Sequence, residues 1–249
     1  MRVSAGGWSS AAVRILAAGT HAVVTLRERW DPGYEQRWRF FGEPLPSAVF
    51  DGRARRFWNR GDGDHFSGAY LTSQIPARGG IWMKAELRTK ISATQWQNIQ
   101  ILLGDLDRSA LARWDHRTGW MPGRNPSSCV FLYPSGEGYL ATREVGHTED
   151  LTPHDVELRL GRAVESLSRG GWYTVLLQLF EDGRCGLAID GKPIGIARMQ
   201  ATIPDSASVI MQGNSVGSRI LVGDVTLGRG VNGEVDWGTI QPGAPRPPR

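Results

Sequence analysis

The chain has 249 residues, 40% hydrophobic and 22% charged, which is enough to bury an ordinary core in one large domain or two small ones. Its 32 glycines and 14 prolines follow no period, and the composition excludes a collagen, a coiled coil, a disulfide-dense mini-protein and a polytopic membrane protein. Twenty-nine basic residues against 25 acidic give a net charge of +4, too little and too scattered for a nucleic-acid footprint. Only three of the basic residues are lysines (Lys84, Lys90 and Lys192), which reads as a GC-rich, bacterial coding habit.

The first element is an Ala-rich stretch from Ser10 to Leu26, with Arg14 and His21 inside it. Arg14 interrupts it too early for a transmembrane span, and it lacks the small-residue cleavage site of a signal peptide. Val13, Leu16, Ala17 and Val24 stand near helical spacing, followed by Arg27, Glu28 and Arg29. That pattern predicts a short amphipathic helix. Residues 1–29 are therefore expected to form an N-terminal helical arm. It would pack on its own domain, on a protein partner, or peripherally on a membrane surface.

From residue 30 to about 232 the apolar period is mostly two, the mark of strands. Ile81, Met83, Ala85 and Leu87 fall on one face, with Trp82, Lys84, Glu86 and Arg88 on the other. In the next run Ile99, Ile101 and Leu103 point inward, while Trp96, Asn98 and Gln100 point outward. The six residues between the runs suit an antiparallel hairpin. Its outer face would gather Trp82, Lys84, Arg88, Trp96, Asn98 and Gln100.

The two cysteines, Cys129 and Cys185, have no zinc-type spacing and form either one disulfide or two buried thiols. Val175, Leu177 and Leu179 alternate on a strongly apolar strand. Cys185, Leu187 and Ile189 alternate on the next, and Ile194 and Ile196 continue on a third. Glu181-Asp-Gly183 and Asp190-Gly-Lys192 are the turns between them. Further short runs lie at Val156–Leu160, Ser208–Gln212 and Arg219–Leu227. Trp58, Trp114, Trp120 and Trp172 read as core or loop packing, Trp172 because it opens a buried strand. Residues 233–249 form a Pro-rich tail.

Recurrent short strands with no long helical period predict two packed antiparallel sheets, an all-β jelly-roll sandwich over residues 30–232. The segment from Gly171 to Ile194 opens a strand with Trp, turns at Asp-Gly, and turns at Asp-Gly again before a third strand. It resembles the concanavalin A-like lectin/glucanase superfamily. Val222–Val231 resembles the closing strand of those domains, and Gly61–Leu71 with Gly79–Leu87 fits their opening strands. The likeness covers about 200 residues and implies a fold that hosts lectins, glycan hydrolases and interaction modules.

The resemblance also implies where a hydrolase would show itself, since many of its glucanases carry Glu-x-Asp-x-x-Glu on one strand. Here Glu234-Val-Asp236 begins that pattern, but Thr239 stands at the third position. Glycoside hydrolysis needs a second carboxylate across the scissile bond, and none stands at matching spacing. Asp62-Gly-Asp64-His65 and Asp105-Leu-Asp107 offer oxygen ligands at alternate positions, but without the further ligands of a calcium loop they read as turns. His116, His147 and His154 lack zinc spacing. No cofactor, metal site or catalytic residue is expected. The sequence is read as a non-catalytic recognition module, first as an accessory or scaffold subunit docking onto a larger assembly. A carbohydrate-binding, lectin-like module is the alternative, and a glycan-processing hydrolase the third reading.

Overall fold

The computed structural model describes residues 14–15, 21–41, 47–50, 55–59, 67–90, 97–106, 123–134, 139–142, 156–159, 171–198, 204–215 and 219–240. In chain order the first elements are β1 (Arg14–Ile15), β2 (His21–Glu28), the single helical turn α1 (Tyr34–Arg37), β3 (Trp38–Phe41), β4 (Ser47–Phe50) and β5 (Arg55–Asn59). Next come β6 (Ser67–Leu71), β7 (Ile75–Pro76), β8 (Ile81–Lys90), β9 (Gln97–Leu106), β10 (Gly123–Pro134), β11 (Tyr139–Thr142) and β12 (Val156–Arg159). The last strands are β13 (Trp172–Leu179), β14 (Arg184–Ile189), β15 (Lys192–Arg198), β16 (Ser206–Ser215) and β17 (Arg219–Arg229).

These strands make the two-sheet antiparallel jelly-roll sandwich that the alternation predicted. The first sheet runs β1-β2-β17-β8-β13-β14-β15, with β5 pairing β17 and β4 beyond it. The second runs β12-β11-β10-β9-β16-β6-β3, with β7 pairing β16. Inward side chains of both sheets close one core: Met83, Ala85 and Leu87 of β8 and Val175, Leu177 and Leu179 of β13 meet Ile101 and Leu103 of β9 and Val209 and Met211 of β16. Each fully buried Val, Leu, Ile or Met among them contributes roughly 1.5–3 kcal/mol of transfer free energy. Among the described residues no helix is long and apolar enough to cross a membrane.

Two expectations are corrected. First, the N-terminal helical arm is not formed by the described residues: 14–15 and 21–28 are strands, and β2 pairs antiparallel with β17. Burial along Leu26-Arg-Glu-Arg29 alternates buried, exposed, buried, exposed, a period of two, and Val23, Val24 and Thr25 favour extended backbone. Residues 1–13 and 16–20 lie outside the described residues. Second, β8 and β9 are not a hairpin: β8 lies between β17 and β13, whereas β9 lies between β10 and β16 in the other sheet. Alternation sets which face a residue takes; it does not set which strand lies beside it. Of the two states left open for the cysteines, Cys185 takes the disulfide. It sits in β14 of the first sheet, and the chain's one other cysteine, Cys129, is in β10 of the second.

One end of the core is held by a buried charge. The carboxylate of Glu28 accepts from the Trp30 backbone N–H at 2.6 Å, the Trp38 indole at 3.1 Å, and Arg37 Nε and Nη2 at 2.7 and 3.0 Å. These hydrogen bonds push the Arg37 guanidinium above its ordinary pKa, against partial burial. Around the pair pack Trp30, Tyr34, Trp38 and Phe40, with Trp30 and Trp38 ring centroids 5.5 Å apart. Trp30 adopts a φ of 58° and donates its indole N–H to the Gly223 carbonyl at 2.7 Å.

Candidate functional site

Pairing register places the outward side chains of the first sheet in rows. One row reads Gly228, Trp82, Gln178 and Gly186 across β17, β8, β13 and β14. The next reads Thr226, Lys84, Leu176 and Ala188; then Glu86 faces Thr174, and Arg88 faces Trp172. Rows two residues apart lie about 7 Å from one another and strands about 5 Å.

The segment 231–240 crosses part of this face. Val235 and Trp237 pack with Leu176, Phe180, Ala188 and Ile196 in a second apolar cluster. The Trp237 ring meets Phe180 edge-on at 5.5 Å and lies over Gly186, where a Cβ would come within 2.7 Å of it. Gln178 fixes the entry to this strap. Its Nε2 donates to the carbonyls of Ile81, Leu179 and Gly230 at 3.3, 3.2 and 3.0 Å, and its Oε1 accepts from Asn232 N–H at 2.9 Å. A boundary at residue 232 therefore falls just before residues that pack on the sheet; 241–249 lie outside the described residues.

Beyond the strap the face carries exposed side chains. Trp172 is 40% exposed, the one large hydrophobic side chain exposed among the described residues. Beside it are exposed Arg88 and half-buried Glu86 and Thr174. Asp190 accepts from Thr174 N–H at 2.8 Å, and Glu86 accepts from Asp224 N–H at 3.4 Å. Arg29 approaches Asp224 at 3.8 Å at the edge of the same area. Such exposed pairs contribute little to stability, but they array donors and acceptors around an aromatic plate.

The six residues expected on a hairpin face are not brought together. Lys84 and Arg88 do share the outer face of β8, and Lys84 pairs with Glu234 of the strap at 2.5 Å. Trp82 shares that face but is only 4% exposed, its ring laid over Gly228, where any Cβ would overlap it. Gln100 is buried in the other sheet, bonded to Gln212. The backbone of Asn98 lies in β9 opposite Asn214, and Trp96 lies outside the described residues. Trp172, read as packing, is the aromatic residue that emerges. The signal for it was present: with Val175, Leu177 and Leu179 inward, position 172 must face outward.

The hydrolase and metal candidates have other occupations. Glu234 pairs with Lys84, and Asp236 caps the short 3-10 turn Trp237–Thr239 by accepting from Gly238 N–H at 3.1 Å. Gly213-Asn-Ser-Val-Gly217 matches the Gly-x-Ser-x-Gly pattern. A nucleophile elbow needs a strand-to-helix turn; Ser215 ends β16, and the next element is β17. Among the described residues no group of three or more His, Cys, Asp or Glu could hold a metal ion. Asp62, Asp64, His65, Asp107, His116, His147 and His154 lie outside them.

The sheet order and the core define the fold as concanavalin A-like. Solved structures agree. The Emp46p carbohydrate recognition domain in its potassium-bound form superposes with a TM-score of 0.59 at 9% identity, over 80% of this chain and 91% of that one. The binding domain of botulinum neurotoxin DC in complex with SialylT superposes with a TM-score of 0.51 at 12% identity, over 84% of this chain and 46% of that one. No protein-family model and no curated protein matches the sequence.

Proposed function

We propose that the chain is a non-catalytic recognition module that binds glycans on the exposed part of the first sheet's outer face. The exposure of Trp172 in register with Arg88 carries this reading. An indole face stacks on the apolar face of a sugar ring, while Arg88, Glu86, Lys84 and Thr174 offer hydroxyl groups both donors and acceptors. A fold shared with a carbohydrate recognition domain agrees with the reading but is analogy alone. The accessory-subunit reading drew on a helical docking arm, and that support is gone where residues 14–15 and 21–28 are strands of the sheet. An exposed Trp beside Arg is also the composition of a protein hot spot, so the experiment carries both arms.

A glycan array and a pull-down from native cells are run on wild type and Trp172→Ala. Glycan binding weakened at least about tenfold in the variant, equivalent to about 1.4 kcal/mol, supports the proposal, provided the thermal midpoint moves by less than about 3 °C. Glycan binding that survives Trp172→Ala overturns it. So does an array without signal beside a pull-down that recovers one protein through Trp172.

A further inference from the structure

The outer face of the second sheet carries a polar pair that its apolar surroundings do not require. Gln100 of β9 and Gln212 of β16 are register partners. Both point away from the inter-sheet core, because their neighbours Ile101, Leu103 and Met211 point into it. They are nevertheless 0% and 2% exposed, and the next row on the same face, Leu102 with Ile210, is equally buried. On the far side of Gln212 the partner is Gly68, where a Cβ would collide with the Gln212 backbone and Cβ, so β6 has no side chain in this row.

The two amides share one hydrogen bond, Gln212 Nε2 donating to Gln100 Oε1 at 2.6 Å. Their other ends, Gln100 Nε2 and Gln212 Oε1, are buried without a hydrogen-bond partner. Each such group costs about 1–3 kcal/mol while it stays unsatisfied, and two leucines would fill the row without that cost. One buried donor and one buried acceptor left over from the pair select the occupant. A carboxylate cannot donate to Gln212, and an ammonium cannot accept from Gln100; a hydroxyl oxygen does both.

We propose that this face holds a hydroxyl-binding site, in which one oxygen accepts from Gln100 Nε2 and donates to Gln212 Oε1. The site is separate from the Trp172 surface and lies on the opposite sheet. Its oxygen comes either from an internal water or from a hydroxyl of a sugar, and two arms of one experiment tell these apart.

Crystals of the full chain grown without polyols are compared with crystals soaked in galactose, mannose or glucose, and thermal midpoints are recorded with each sugar. An oxygen about 2.6–3.2 Å from both amide atoms in the sugar-free crystals, unchanged by soaking, establishes the site as a water site. A sugar hydroxyl in that position establishes it as a glycan contact. In that case the sugar at ten times its dissociation constant raises the wild-type midpoint by about 3–5 °C and leaves that of Gln212→Leu unchanged. Density in which the two amides close on each other through two reciprocal hydrogen bonds, with no third oxygen, overturns the proposal. That reading needs no variant, so it stands even where Gln212→Leu does not fold. Trp172→Ala leaves this site intact, which keeps its outcome distinct from that of the glycan surface.

Discussion

Replacing Glu28 by Gln removes the charge that organises one end of the sandwich while keeping the size of the side chain. The native carboxylate is fully buried and takes four hydrogen bonds, two of them from Arg37. Glutamine has a single oxygen to serve donors that now approach two, and its NH2 faces N–H groups. Loss of one partner from a buried ion pair costs about 3–5 kcal/mol. The Arg37 side chain keeps 21% of its surface in water, so the lower end, about 3 kcal/mol, is expected. For a chain of this size that is a fall in thermal midpoint of about 6–12 °C. Guanidinium titration should show a lower midpoint with an unchanged slope. The Arg37 side of the pair adds no pH dependence near neutrality. A guanidinium raised above its ordinary value contributes fully below that value and loses its contribution only as pH climbs through the raised one. A loss under about 1 kcal/mol would refute the reasoning, because it would mean that the carboxylate is not the anchor its four contacts describe.

Three further outcomes are expected. Reduction of the Cys185 disulfide, whose only possible intramolecular partner stands 56 positions earlier, should cost about 4 kcal/mol; a reduced protein with an unchanged midpoint speaks against a structural bridge. Gly186→Ala should push Trp237 off its seat, costing about 1–3 kcal/mol and altering tryptophan fluorescence, whereas unaltered emission would mean that the ring does not rest there. Gln178→Leu deletes the amide's bonds to Gly230 and Asn232 at the strap's entry, so amide exchange across 231–240 should rise while β8 and β13 stay protected; exchange confined to its wild-type level would show the apolar contacts suffice.

Much of the sandwich is legible from alternation alone. Met83, Ala85 and Leu87, or Val175, Leu177 and Leu179, announce an inner face, and the same parity sends Lys84, Arg88 and Trp172 outward. What alternation withholds is the neighbour. Two consecutive strands with matched outer faces look like a hairpin, yet β8 and β9 belong to different sheets, because β8 pairs with β13 and β17 while β9 pairs with β10 and β16. The burial of Trp82 depends on a missing side chain at Gly228, and that of Glu28 on Arg37 and Trp38 meeting it in space. Residues 21–28 escaped because an Ala-rich lead-in imitates a helix, and the period of two appears only from Leu26 to Arg29.

The place of β17 sets the order in which the molecule can assemble. Among the described strands it comes last in the chain, yet it lies inside the first sheet, with β8 along one edge and both β2 and β5 along the other. During synthesis the early strands must wait, their edges unpaired, until residues 219–229 leave the ribosome. Such long-range closure makes for slow folding, on the order of milliseconds to seconds. The interval in which a nascent chain of this kind needs a chaperone's shelter is therefore written into its strand order.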